Sequence, residues 1–233
     1  MNNSTPSRPS SPATKKLISR QAVFIFLFGL VLGIAIFSSY HYYYLAKNNS
    51  ANPSSDIPAN EPATFAITDA DHIWGAKDAA VTLVVFSDLS CPYCREYHAA
   101  LEEFMKNRSD KVRIVWRHLP LSLNSVASVS SAIAAECAGE QDKFFEYLSA
   151  LYPYQDEYGP DFYLSVGADL GLDKDQFSAC AESGRFDDKI QANYSEAISL
   201  GVEGTPASFL NGRYLAGALT RSQLEALIDP LID

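Results

Sequence analysis

Two cysteines separated by two residues, in the stretch Cys91-Pro92-Tyr93-Cys94, are the side chains of this sequence best suited to covalent chemistry. Thiols at this spacing can form a disulfide with each other and exchange it with the thiol of another molecule. The apolar run 81–86 before them predicts a buried strand, and apolar residues at helical spacing over 94–105 predict a helix. The pattern therefore places two thiols where a strand, a short loop and a helix meet.

The proline between the cysteines predicts which thiol is the reactive one. Proline is favoured at the first position of a helix, so Cys91 is expected to be the N-cap and Cys94 to lie one turn inside. A thiolate at an N-cap can accept the backbone N–H of Cys94 and faces the positive end of the helix dipole, which lowers a cysteine pKa to about 3.5–7.5. We expect Cys91 to be the nucleophile and the shielded Cys94 to resolve the mixed disulfide, with no cofactor needed.

Other uses of these thiols are less well supported. A zinc site needs four ligands, usually in two close pairs, but Cys137 and Cys180 stand alone and no paired histidines follow. A purely structural bridge across two residues would close too small a loop to stabilise much. His98 and His118 have no third ligand at a suitable spacing, so we expect solvated or packing histidines and no metal site.

The order of the other elements predicts the fold class. A strand is expected over 111–119, then a helical block over about 122–200. Asn211-Gly212 between two short apolar segments predicts a hairpin, and Thr220-Arg221-Ser222-Gln223 predicts a capped last helix. This order predicts an α/β protein, with a central mixed sheet flanked by helices and an inserted helical domain. Helix periodicity places several residues at the core, among them Val126, Val129, Ile133, Ile198 and Leu227.

Four stretches carry a family resemblance: Phe86-Ser87-Asp88-Leu89-Ser90-Cys91-Pro92-Tyr93-Cys94, Arg117-His118-Leu119-Pro120-Leu121, Ala135-Glu136-Cys137-Ala138 and Gly204-Thr205-Pro206-Ala207-Ser208-Phe209. From about Asp71 to the C-terminus the chain resembles the DsbA-like thiol:disulfide oxidoreductases, which have the thioredoxin fold. The resemblance implies that Pro206 has a cis peptide bond and lies against the cysteines, and that Thr205 contacts the thiolate and the substrate backbone. Pro92 and Tyr93 are implied to shape the same active-site loop.

Two positions near the cysteines leave the direction of the reaction open. Thioredoxins carry a buried acid six residues before the first cysteine, where this chain has Val85, so rapid reductive resolution is in doubt. Asp88 is closer to the thiols but is expected to cap a loop. Family members with threonine at the position of Thr205 include isomerase-like as well as oxidase-like enzymes.

Cys137 and Cys180 are expected on the apolar faces of two separate helices. In an oxidising compartment an even cysteine count favours a bridge between them. Closing a loop of about 44 residues would stabilise the fold by roughly 4 kcal/mol on the loop-entropy model. We therefore predict a structural disulfide, with reduced core cysteines as the alternative.

The N-terminal third predicts a membrane-anchored protein. Residues 1–20 are polar and basic and are expected to form a disordered cytoplasmic tail, and 21–45 form a hydrophobic segment ending in four tyrosines. The 24 positions from 22 to 45 span roughly 36 Å as a helix, enough to cross a bilayer. Residues 46–66 are expected to be a flexible linker, and 67–233 the folded domain.

A cleaved signal peptide is the alternative for residues 21–45, but the apolar core is long and no small-x-small site follows closely. Four basic residues precede the segment and only Lys47 follows closely, which predicts a cytoplasmic N-terminus and a domain on the extracytoplasmic side, periplasmic or at the cell surface. Disulfides persist there.

Charge excludes one class of partner. All 28 acidic residues and 14 of the 18 basic residues lie after residue 45, so this part carries a net charge of −14 and a nucleic-acid partner is not expected.

We predict an enzyme that introduces disulfides into exported proteins and is reoxidised by a membrane redox partner. The alternatives are a disulfide isomerase or reductase, and a tethered binding module or chaperone without catalytic activity.

Overall fold

The computed structural model describes residues 32–41, 62–123 and 125–232. The chain divides into two compact units, Met1–Asn52 and Pro53–Asp233. In the first unit, 32–41 is an exposed helical segment. None of the helices within these described ranges is long and apolar enough to cross a membrane. The predicted tail 1–20 and most of the predicted anchor 21–45 and linker 46–66 lie outside the described residues.

The second unit is built on one mixed sheet of five strands in the order β1-β3-β2-β4-β5. The strands are β1 (His72–Trp74), β2 (Val81–Ser87), β3 (Val112–His118), β4 (Ala207–Leu210) and β5 (Arg213–Ala216). The two central strands β2 and β3 are parallel and all other pairs are antiparallel. Asn211 and Gly212 form the turn between β4 and β5 with φ of 47° and 84°, as the hairpin prediction requires.

Seven helices accompany this sheet within the second unit's described residues, and some of them pack on other helices. They are α1 (Pro92–Met105), α2 (Val126–Gly139), α3 (Phe144–Leu151), α4 (Pro160–Asp169), α5 (Lys174–Glu182), α6 (Asp187–Ser199) and α7 (Arg221–Ile228). A 3-10 helix, Tyr152–Glu157, continues α3. Helices α2 to α6 form the helical block between β3 and β4, so the predicted α/β class is confirmed.

The central position of β2 in the sheet explains why its sequence is apolar without alternation. Leu83 and Val85 face the larger core, which also contains both active-site cysteines, whereas Val84 and Phe86 face a second core on the other side of the sheet. Because both faces are covered, both carry mainly apolar side chains.

Three residues that helix periodicity placed at the core are instead exposed: Val126 is 81% exposed, Ile198 53% and Leu227 40%. In α2 the inward face carries small polar residues, because its first turn packs against the loop before α1. The Ser128 hydroxyl lies 2.8 Å from the hydroxyl of Ser90 in that loop.

The folded domain begins before residue 67, where the linker was predicted to end. Ala63 donates its N–H to the Gly212 carbonyl at 2.9 Å, and the Phe65 ring packs 5.0 Å from that of Phe209 in the second core. A side chain at Gly212 would collide with the Ala63 carbonyl, since a Cβ there would lie 2.4 Å from its oxygen. Residues 62–66 therefore belong to the domain.

Cys137 in α2 and Cys180 in α5 form a disulfide. Both sulfur-bearing side chains are buried in the larger core. The bridge ties the middle of the helical block together.

Candidate active site

Cys91 and Cys94 lie at the start of α1, just beyond the C-terminal end of the central strand β2. Cys91 directly precedes the helix with extended backbone angles, and Pro92 is the first helical residue. Both thiols are free and buried, with 6% of Cys91 and 1% of Cys94 exposed. Tyr93 is 64% exposed beside them.

The expected side-chain cap is not formed. The Cys94 N–H donates to the Cys91 carbonyl at 3.1 Å, and the Cys91 side chain makes no capping hydrogen bond. Cys91 Sγ instead lies 3.5 Å from the Thr205 carbonyl oxygen, to which the thiol donates when it is protonated. The first turn of α1 is thus closed by backbone atoms, which leaves the sulfur free to face the opposite loop.

The pKa of Cys91 is nonetheless lowered to about 5. The largest cause is a hydrogen bond from the Cys94 thiol, and burial opposes it. The Thr205 side chain and the backbone N–H groups of Cys94 and Tyr93 lower the pKa further. At neutral pH Cys91 is a thiolate, as the sequence predicts, but its main stabilising partner is the second thiol.

Cys94 behaves in the opposite way. Burial raises its pKa well above the ordinary value, and the Cys91 sulfur adds to this, while the hydroxyls of Ser87 and Thr205 act in the other direction. Cys94 is therefore a thiol at physiological pH. One reactive thiolate beside one protonated thiol is what stepwise disulfide exchange requires.

The loop before β4 forms the wall of the site opposite the two thiols. The Thr205–Pro206 peptide bond is cis, as the resemblance implies. The Thr205 carbonyl oxygen faces Cys91 Sγ, and the buried Thr205 Oγ1 has no nitrogen or oxygen partner among the described residues. The structure thus brings Thr205 and Pro206 together with the two cysteines.

Asp88 caps the loop before α1, as the sequence predicts. Its carboxylate accepts the backbone N–H and hydroxyl of Ser90, both at 2.8 Å, and the N–H of Leu121 at 2.8 Å. These bonds hold the loop at Ser90 and the segment at Leu121 in place beside the thiols.

The helical block supports the same loop through two residues that sequence reasoning missed. Gln155 donates to the carbonyls of Leu89 and Cys91 at 2.6 and 2.9 Å, and the Tyr158 hydroxyl donates to that of Leu89 at 3.1 Å. Both lie more than 60 residues from the cysteines, and no local pattern identifies them.

The two histidines considered as ligands are buried packing residues, not solvated ones. His98 bonds the Ser149 hydroxyl at 3.0 Å, and burial lowers its pKa to about 4. His118 bonds the Glu136 carboxylate at 3.1 Å. Over the described ranges, no group of three or more His, Cys, Asp or Glu side chains could hold a metal ion.

A buried carboxylate cluster, formed by Glu136, His72, His118 and Lys189, is the largest feature that sequence reasoning missed. The Glu136 carboxylate is 2.8 Å from His72 Nε2, 3.1 Å from His118 Nε2 and 2.7 Å from Lys189 Nζ. Burial raises the pKa of Glu136, but the bonds from the two histidines outweigh burial and hold it well below its usual range. The cluster joins β1 and β3 to α2 and α6.

Three comparisons with known proteins agree with this geometry. A family model described as thioredoxin matches residues 68–230. A thioredoxin-like oxidoreductase from Silicibacter pomeroyi is 27% identical and has a TM-score of 0.63, with 70% of this chain and 92% of that chain covered. The thiol-disulfide exchange protein alpha-DsbA2 from Wolbachia pipientis shares the fold at 23% identity and a TM-score of 0.62, covering 68% and 86%.

Curated relatives of greater length also match. The Na(+)/H(+) antiporter NhaA 3 of Salinispora tropica is 36% identical over 160 residues, which are 69% of this chain and 24% of that protein. The chain thus spans about a quarter of the length of the curated relatives it matches, and the antiporter name describes much longer proteins. The family model covers more than half of this chain, and solved thiol–disulfide oxidoreductases share its fold; the chain belongs to the thioredoxin family, in the group with the DsbA-like fold.

Proposed function

We propose that this protein is a thiol:disulfide oxidoreductase that introduces disulfides into exported proteins through Cys91 and Cys94. One observation carries the proposal: two free thiols lie one helical turn apart at the start of α1, and their pKa values are displaced in opposite directions. A low pKa makes Cys91 a good leaving group, because its thiolate is stable when a substrate thiol displaces it.

The oxidase cycle has two exchange steps. A substrate thiolate attacks Cys91 Sγ of the Cys91–Cys94 disulfide; a substrate–Cys91 disulfide forms, and the electron pair of the broken bond goes to Cys94 Sγ, which takes up a proton from water. A second substrate thiolate then attacks the substrate sulfur of the mixed disulfide and releases Cys91 as a thiolate. The substrate has lost two electrons, and the enzyme is reduced until a membrane redox partner reoxidises it.

Substrate binding is assigned to the wall opposite the thiols. An extended segment of the substrate can pair with the backbone of Thr205, which lies beside Cys91. Exposed apolar side chains line the pocket that contains Cys91 and Thr205, among them Tyr93 at 64% and Leu121 at 55% exposed. Apolar contacts and backbone pairing suit unfolded proteins of many sequences.

The location proposed is the extracytoplasmic side of a membrane, with residues 21–45 as the anchor. The Cys137–Cys180 disulfide supports an oxidising compartment, since such bonds are rare where thiols are kept reduced.

The test is the reduction potential against glutathione, together with oxidation of a reduced, unfolded substrate protein. A Cys91 pKa of about 5 lies between those of DsbA and thioredoxin, at about 3.5 and 7, so we expect a potential between about −120 and −270 mV. Cys91→Ser should abolish thiol oxidation, and Cys94→Ser should trap mixed disulfides. Failure of the wild-type protein to oxidise or reduce any thiol substrate would favour the tethered binding module.

A further inference from the structure

The thiolate that forms on Cys94 during exchange needs stabilisation in a buried site. Its sulfur lies in the larger core, 1% exposed, among apolar side chains of β2 and α1. A bare charge in such surroundings is costly unless a hydrogen-bond donor faces it. The donor that serves this sulfur has to come from an element that packs against the start of α1.

Strand β2 supplies such a donor, in addition to the Thr205 hydroxyl in the loop before β4. Leu83, Val85 and Ser87 share the face of β2 that is turned towards α1, because side chains alternate along a strand. Ser87 is the polar member of this set and only 1% of it is exposed. It is close enough to the Cys94 thiol for its hydroxyl to lower the pKa of that thiol, against the effect of burial.

Tyr152 holds the Ser87 hydroxyl in place. The two side-chain oxygens are 2.9 Å apart, and Tyr152, at the start of the 3-10 helix after α3, is only 2% exposed. Burial raises the pKa of Tyr152 well above its ordinary value, as does the neighbouring Cys94 sulfur, so the phenol keeps its proton. With the phenol donating to Ser87 Oγ, the serine O–H is free to point at Cys94 Sγ.

We infer that Ser87 is a catalytic residue that donates a hydrogen bond to the Cys94 thiolate during disulfide exchange, and that Tyr152 is its positioning residue. The inference rests on the proposed function. When the Cys91–Cys94 bond breaks, its electron pair goes to Cys94 Sγ, and the Ser87 O–H stabilises that charge until a proton arrives from water. In the reverse step, the same bond stabilises Cys94 as it loses its proton and attacks Cys91.

This role predicts that rates change while equilibria do not. In the oxidised enzyme Cys94 is in a disulfide, and in the mixed disulfide it is a neutral thiol, so the charged form occurs only between these states. Loss of a hydrogen bond to a charged group should slow mixed-disulfide formation about tenfold or more. The equilibrium constant with glutathione should change less than about twofold, since neither end state carries the charge.

The test compares Ser87→Ala and Tyr152→Phe with wild type, using oxidised full-length protein in detergent. A peptide with one cysteine is the probe, and acid quenching with mass spectrometry gives the rate of mixed-disulfide formation. Both variants should be slow, and the double variant no slower than Ser87→Ala, because Tyr152 acts through Ser87. Tyr152→Phe keeps the ring and so tests the idea even if Ser87→Ala folds poorly.

A matched control exists in the same domain. The hydroxyls of Tyr97 and Ser208 are also 2.9 Å apart and buried, but they bond each other rather than a sulfur. Tyr97→Phe and Ser208→Ala should react at the wild-type rate. A wild-type rate in Ser87→Ala, equal slowing in the control pair, or a shift in equilibrium matching the loss in rate would each overturn the inference. A wild-type enzyme that forms no mixed disulfide would overturn the proposed function as well.

Discussion

The dominant influence on Cys91 can be tested by changing its partner. Because the Cys94 thiol is the largest cause of the low Cys91 pKa, Cys94→Ala should raise that pKa, and Cys94→Ser, which keeps a donor, should raise it less. A hydrogen bond to a charged group contributes about 1.5–3 kcal/mol, which corresponds to about 1–2 pKa units. The expected pKa of Cys91 in Cys94→Ala is therefore about 6–7.

Thiolate absorbance near 240 nm, or the pH dependence of alkylation, gives the pKa as a midpoint. The alkylation rate at a single pH is a poor measure, because a thiolate of lower pKa is also less nucleophilic. In the wild-type reduced protein the midpoint should lie at about 5, and Cys94 should remain unlabelled while the protein is folded. An unchanged midpoint in Cys94→Ala would refute the assignment of the second thiol as the main cause. Labelling of Cys94 before Cys91 would reverse the roles of the two cysteines.

Three further predictions concern stability. The folded-state pKa of Cys91, about 5, lies below its ordinary value of 9.0, so its thiolate stabilises the reduced protein at neutral pH and this contribution is lost as pH falls towards 5. Between pH 7 and pH 5 the reduced protein should lose about 1–2 kcal/mol of unfolding free energy relative to the oxidised protein, measured in urea and allowing for solvent screening. Replacing both Cys137 and Cys180 by alanine should cost about 2–4 kcal/mol in the same assay and leave the Cys91 midpoint unchanged. Glu136→Gln should cost about 3 kcal/mol, because it leaves the Lys189 ammonium and two imidazoles without the buried carboxylate that they bond. The exposed Glu146→Gln should change stability by less than about 0.5 kcal/mol.

Each of these has a contrary outcome. Parallel pH curves for the reduced and oxidised proteins would mean that the Cys91 thiolate is as favourable in the unfolded chain as in the folded one. A double cysteine variant as stable as wild type would show that the bridge adds nothing to the packing around it. Equal unfolding midpoints for the Glu136 and Glu146 variants would show that the buried carboxylate is replaceable by an amide.

Local sequence patterns are sufficient to predict the elements that position the thiols. An unbroken apolar run identified β2, a proline between two cysteines identified the start of α1, and Asn211-Gly212 identified the hairpin. Each signal lies within a few residues and reflects backbone geometry or burial of both strand faces. The cis bond at Pro206 could be expected from the resemblance alone.

Contacts between distant segments could not be predicted. Periodicity placed Val126 at the core because it is apolar and in phase, yet the first turn of α2 meets a polar loop and Ser128 faces inward instead. The partners of Ser87 and Glu136 come from other elements, 65 residues away in the case of Tyr152 and 64 in the case of His72. Such pairings depend on how elements pack, which no window of sequence contains.

The buried carboxylate cluster has a consequence for how this family can diverge. Glu136 accepts hydrogen bonds from three side chains on three different elements, so its loss alone leaves donors unpaired, and a second negative charge alone would be repelled. Mutations at these four positions are then tolerated only in combination. Across related sequences, Glu136, His72, His118 and Lys189 should be inherited as a set or replaced together, with apolar residues as the alternative state.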